Sequence, residues 1–181
     1  KIIANFNFNR PDLSLNALLA LRKKILVVKD LYLRQDKLKS VDQLILSCAG
    51  LMGEVVTNQA EAVAGSSYNF RLNLIARAQP PVVIKQIKWL NGNETPGKQL
   101  SADSLVTIAK NIQIPVDTKP SEPYWMANPA KNAATFSVPY DTLIGLPEAE
   151  SPLKVVVDLK IGADVFSVEL PLSFKKLVPV R

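Results

Sequence analysis

The sequence predicts an α+β chain, two amphipathic helices first and then a run of short β-strands. Three observations predict it. Apolar residues recur at three-four spacing to about residue 56, the spacing changes to two after Asn58, and Gly, Pro and Asn punctuate the remainder.

The first helix is expected over 12–30. Pro11 suits a first helical turn and Ser14 is placed to cap a helix starting just after it. Leu15, Leu18, Leu19, Arg22, Ile25 and Leu26 form one stripe, widened by Leu21 and Val28. The charged stretch RQDKLK reads as a link, and Ser40 with Gln43 as a capping box opening a second helix over 41–56. On that helix Val41, Leu44, Ile45, Cys48, Met52 and Val55 share a face, while Gly50 and Gly53 weaken it and admit a close neighbour.

The strands come next. In SYNFRLNLIAR, Tyr68, Phe70, Leu72 and Leu74 alternate with polar residues. VVIKQIKWL runs into the turn NGNETPG, SLVTIAKNIQIPV supplies one or two strands, and ATFSVP reads as a short one. LKVVVDLKI and VFSVELPLSF, joined by GAD, read as a hairpin. Seven or so short strands with turns between them indicate an antiparallel, immunoglobulin-like β-sandwich without the antibody-type cysteine pair. The expected organisation is a helical segment, 1–58, packed on a sandwich module, 59–181, as one compact unit. Lys1 in place of an initiator Met and the stop at LVPVR lead us to expect a piece of a longer protein.

Composition excludes several function classes. The chain of 181 residues has no histidine, so Ser-His-Asp and Cys-His pairs are ruled out and the commonest neutral zinc ligand is missing. Glu148 and Glu150 sit between prolines and Asp103 lies alone, so no carboxylate pair stands out. GSS and GNETPG are turn compositions rather than phosphate loops. We expect no catalysis by this chain, and no cofactor or metal in it. The net charge of +6 is carried by scattered lysines and arginines with no basic run, so nucleic acid is not an expected partner. No apolar run reaches membrane-spanning length and no secretory signal is visible. The one cysteine, Cys48, falls in an apolar helical pattern and reads as a core residue.

PYWMANP, residues 123–129, is the most unusual stretch. Its prolines exclude a helix interior or a central strand. Tyr124 and Trp125 then have two readings. They plug a long connection against the core, which we prefer, or they form a stacking platform for a sugar. Trp89 and Tyr140 are the candidate additional rings, and Asn128 and Asn132 the candidate hydrogen-bonding partners.

Several stretches in order carry a resemblance: RPDLSLNALLALRKKI, VDQLILSCAGLMGEVV, AVAGSSYNFRLNLIAR, EPYWMANP, SVPYDTLIGLPEAESPLKVVVDLKI and VELPLSFKKLVPVR. Together they resemble the middle region of the large multidomain PIG-L, or LmbE-like, deacetylases of Bacteroidetes-type bacteria. PYWMANP followed by LIGLPE is the most specific part. The resemblance implies a non-catalytic accessory module that bridges or supports a zinc-dependent sugar N-deacetylase domain. That family's His-Pro-Asp-Asp and His-x-x-His motifs have no counterpart here, so no catalytic or metal residue carries over and zinc is expected only in the other domain. The partners implied are neighbouring domains of the same polypeptide, and the location implied is the periplasm or cell surface.

Overall fold

The computed structural model describes residues 2–77, 81–130, 132, 135–147, 149 and 151–176, without the side chain of Thr142. Helix α1, Leu15–Leu26, comes after a 3-10 turn over Pro11–Ser14. Pro11 takes the first position of that turn, where a missing N–H costs nothing. Ser14 precedes α1 but its side chain makes no capping hydrogen bond. The buried residues of α1, Leu15, Leu18 and Leu19, keep the three-four spacing seen in the sequence.

The second helix departs from expectation at both ends. Helix α2 spans Leu31–Cys48, so RQDKLK lies inside it and not between helices. Its cap is Asp30, whose carboxylate accepts from the Leu33 N–H at 2.8 Å. Ser40 is mid-helix and its hydroxyl donates to the Asp36 carbonyl, so the capping-box reading fails. The helix stops early because Gly50 takes φ +59 and closes a Schellman motif. The Gly50 N–H bonds the Ser47 carbonyl and the Leu51 N–H bonds that of Leu46. Met52 and Val55, expected on the helix, lie instead in strand β1, Met52–Thr57.

Gly50→Val should therefore destabilise the protein by about 2 kcal/mol or more, measured by denaturant unfolding. A β-branched residue is strained at that φ, and an added Cβ would stand 2.8 Å from the Arg77 Cβ. A neutral result would mean that the α2–β1 corner relaxes freely.

Among the described residues seven further strands join the sheet: β2 (Ser67–Ile75), β3 (Val82–Trp89), β4 (Gly92–Glu94), β5 (Gln99–Leu100), β6 (Val106–Gln113), β7 (Lys154–Ile161) and β8 (Asp164–Phe174). The sheet order is β4-β3-β7-β8-β1-β2-β6, with β5 also on β3. Most pairs are antiparallel, but β1 and β8 run parallel, Val55 opposite Leu172. The sheet is thus mixed and not purely antiparallel as expected. Strand β8 pairs with β7 along 164–171 and with β1 only at 172–174, so it changes partners along its length and the sheet curls there. The edge strands approach each other, since Lys110 of β6 pairs with Glu94 of β4.

The alternation read from the sequence sets which faces are inside. Phe70, Leu72 and Leu74 are buried on β2, and Val155, Val157, Leu159 and Ile161 on β7. ATFSVP is not a strand where it is described. Thr135 makes one isolated bridge to Asn132, and Phe136–Pro139 has no strand partner, while Ala134 lies outside the described residues.

Buried side chains of both helices, such as Leu15 and Ile45, belong to one apolar cluster with the strand residues. The helices sit at the sheet end where β1 begins and the β7–β8 turn lies. Leu19 approaches Gly162 of that turn, and the Ala49 carbonyl accepts a hydrogen bond from the Arg77 N–H after β2. Among the described residues no helix is long and apolar enough to cross a membrane.

Candidate functional site in the β6–β7 connection

Residues 114–153 join β6 to β7 from the end of the sheet opposite the helices. A connection of that length with little regular structure is uncommon in a compact domain and usually carries function or order of its own. Its start is anchored at Ile114, buried, which exchanges backbone hydrogen bonds with Gly65 and Ser66. Its return at Ser151 is held by a hydrogen bond from Oγ to the Leu153 carbonyl, and Leu153 in turn accepts from the Leu172 N–H of β8.

PYWMANP forms a 3-10 turn at Tyr124–Met126. Pro123 supplies the extended residue before it, with φ −57 and ψ 135, and its carbonyl accepts from the Met126 N–H. The turn places Tyr124 and Trp125 edge to face, their centroids 5.0 Å apart and their planes at 85°. Tyr124 is half-buried and its hydroxyl donates to the Leu146 carbonyl at 3.2 Å. This bond ties PYWMANP to LIGLPE across 22 residues, so the two most distinctive motifs of the sequence meet in space. Asn128 adds a second tie, donating from Nδ2 to the Ser137 carbonyl at 3.2 Å.

Trp125 stays 41% exposed. It borders an open cleft of about 580 Å³ whose other walls include Pro123, Pro147, Pro152 and Pro171. Proline rings and an indole give this cleft stiff apolar walls, and Glu122 and Ser121 stand at its margin. Tyr140 is exposed and precedes the 3-10 turn Asp141–Leu143, with its carbonyl accepting from the Leu143 N–H. Asn132 lies beside Thr135 in the isolated bridge.

Trp89 does not join this group. It is 5% exposed in the core, at the end of β3. The Lys110 ammonium lies over its ring, 5.5 Å from the centroid. The hydrogen bond from Lys110 holds the Glu94 carboxyl below its usual pKa, against the opposing effect of burial. Of the four rings that sequence reading groups, the fold sets Tyr124 and Trp125 in contact and buries Trp89 in the core.

Sequence reading also misses a second polar cluster. Arg22 joins three elements: its guanidinium donates to Asp42 of α2 at 2.6 and 3.3 Å and reaches Asp164 of the β7–β8 hairpin at 3.5 Å. It also lies 4.9 Å from the Phe166 ring centroid. The signal is present, since Arg22 interrupts an otherwise apolar stripe and a half-buried guanidinium requires carboxylate partners.

Cys48 is buried and free, and burial pushes its thiol up, which keeps it protonated and unreactive at neutral pH. Glu148 and Glu150 lie outside the described residues. Among the described residues no three His, Cys, Asp or Glu side chains come together as a metal site would need. In comparisons with known proteins, no family model matches the chain and no curated protein matches it.

Proposed function

We propose that this chain is a non-catalytic structural module of a larger enzyme of the PIG-L deacetylase type, exported to the periplasm or cell surface, and that its sandwich is immunoglobulin-like. The sandwich reading is supported by the strand order and by β8, which leaves β7 for a parallel pairing with β1 as a strand does where two sheets share a corner. The accessory role is supported by a sequence without histidine whose most distinctive loop is bonded to itself.

One observation carries the choice of a structural over a sugar-binding role. The Tyr124 and Trp125 planes stand at 85°, with the tyrosine hydroxyl already donating to Leu146. A sugar platform needs ring faces that lie side by side and polar groups free to orient the ligand. In this reading PYWMANP braces LIGLPE, and the braced loop gives a neighbouring domain of the same polypeptide a fixed surface. Trp125, Met126, Phe136, Tyr140, Ile144 and Leu146 are among its exposed apolar side chains. The second reading, a carbohydrate-binding module, is favoured by the exposure of Trp125 above the proline-walled cleft.

Trp125→Ala separates the two. We expect no glycan of a broad panel to bind the chain saturably, and we expect the variant to lose roughly 1–2 kcal/mol of stability. That is less than the ~3–5 kcal/mol of a fully buried aromatic, because the ring is only partly covered. Saturable binding by the parent chain, abolished in an equally stable variant, would establish the sugar module instead.

A further inference from the structure

The helical hairpin is fully buried only at its base, with Ile25 and Leu38 partly covered against the apolar cluster. Its core residues are Leu15, Leu18 and Leu19 at the start of α1 and Val41, Ile45 and Cys48 at the end of α2. No residue from Ala20 to Ser40 is buried. The end of α1 beyond Ile25, the link and the first turns of α2 therefore extend past the contacts that Arg22 makes with Asp164 and Phe166. Arginine, lysine and glutamate would ordinarily fill such a solvated tip. Here it presents Leu26, Val27, Leu31, Tyr32 and Leu33, all exposed, with Val27 at 79% and Tyr32 at 84%.

The charges around this tip are mostly positive. Residues 1–48 contain nine Lys and Arg against four Asp and Glu, which places five of the chain's six net positive charges in this quarter of the sequence. Lys23, Lys24, Lys29, Lys37 and Lys39 are all exposed and flank the apolar residues. All four acidic groups are already engaged, Asp36 with Lys37 among them. Asp12 pairs with Arg10, Asp42 with Arg22, and Asp30 caps α2.

We propose that the tip of the α1–α2 hairpin docks on an anionic lipid surface. Apolar side chains enter the boundary between headgroups and acyl chains, and the flanking lysines lay their stems along it with their ammonium groups at the phosphates. The shape favours lipid over a protein partner. A protein interface of ordinary stability needs about 800 Å² on each side and a matching concavity, whereas a bilayer closes around a convex tip without one. The charge favours an anionic surface over a neutral one, since each lysine near such a surface strengthens binding by roughly 5-fold. The docking is peripheral: among the described residues no helix is long and apolar enough to span a bilayer.

The test is co-sedimentation of the whole chain with phosphatidylglycerol–phosphatidylcholine vesicles and with phosphatidylcholine vesicles alone. We expect binding to the anionic vesicles only, weakened at ~1 M salt, where the screening length falls to about 3 Å. Replacing Lys23, Lys24 and Lys29 by Gln should lower it roughly 100-fold in all. The triple variant Val27→Asp, Leu31→Asp, Tyr32→Asp should abolish it while melting at the parent temperature, because none of the three side chains is buried. Tyr32→Trp should bind and shift its added fluorescence to the blue on the anionic vesicles. No sedimentation with either vesicle overturns the proposal, as does equal binding by the Asp variant. A parent chain that self-associates until the Asp variant makes it monomeric, without binding lipid, assigns the tip to a second copy and overturns it too.

Discussion

Ile45→Ala on α2 and Phe70→Ala on β2 should each weaken the whole molecule, not just its own part. Both side chains are fully buried and belong to the same apolar cluster. Truncation should cost ~2–5 kcal/mol at Ile45 and ~3–5 kcal/mol at Phe70. Those are large shares of the roughly 5–15 kcal/mol that holds a domain folded. The shared cluster makes the coupling specific. Helical circular dichroism reports the α1–α2 pair, and in a Trp125→Phe background the fluorescence of buried Trp89 reports the sheet. In both variants the two signals should lose their structure at one lowered denaturant midpoint. If Ile45→Ala moved the helical transition alone, the helices would be a separate unit resting on the sheet, and the common core would not be cooperative.

How far the sequence reveals this arrangement depends on the range of the interaction that decides each element. The period-two strands are legible because their determinant is local. In β7, Val155, Val157, Leu159 and Ile161 turn inward on alternation alone, and the hairpin to β8 depends on Gly162 taking φ +62. The α2–β1 corner misleads although its determinant is also local. Val41, Ile45 and Cys48 set a helical period that Met52 and Val55 happen to continue, and one residue, Gly50, ends the helix. Ser40 and Gln43 imitate a helix start inside a helix, since a capping box is a pattern of residue types that an exposed helical face can also carry. The parallel pairing of β1 with β8 is not legible at all. It joins residues more than a hundred positions apart, and nothing in MGEVVT distinguishes a parallel neighbour from an antiparallel one. In the candidate site the aromatic loop is legible as a loop because prolines exclude the alternatives. The burial of Trp89 and the perpendicular setting of Tyr124 and Trp125 are not, because they depend on what the rest of the chain places around those rings.

Arg22→Ala should be the most damaging change of a charged side chain, at about 2–3 kcal/mol, or a melting point lower by roughly 5–10 °C for a chain of this size. Most exposed ion pairs contribute a fraction of 1 kcal/mol because water screens them and their side chains must be ordered. Arg22 differs in three respects. Its side chain is only 16% exposed, it holds two carboxylates at once, and its guanidinium covers the Phe166 ring. The carboxylates come from different elements, Asp42 from α2 and Asp164 from the hairpin, so the arginine fixes the helices against the sheet end. Removing it leaves both acids partly covered with no cation between them, which costs more than the pair gains when intact. The hydrogen bond that Arg22 donates to Asp42 raises its pKa above the ordinary value, so the guanidinium stays charged at any pH at which the protein is folded. Arg22→Lys should recover less than half of the loss, since a single ammonium cannot reproduce the two-pronged contact with Asp42 and the reach to Asp164. Adding Asp164→Asn to Arg22→Ala should then restore some stability by removing one uncompensated charge. If Arg22→Ala melted within a degree or two of the parent, the helices would be held by Leu15, Leu18, Val41 and Ile45 alone, and the arginine would only decorate the joint.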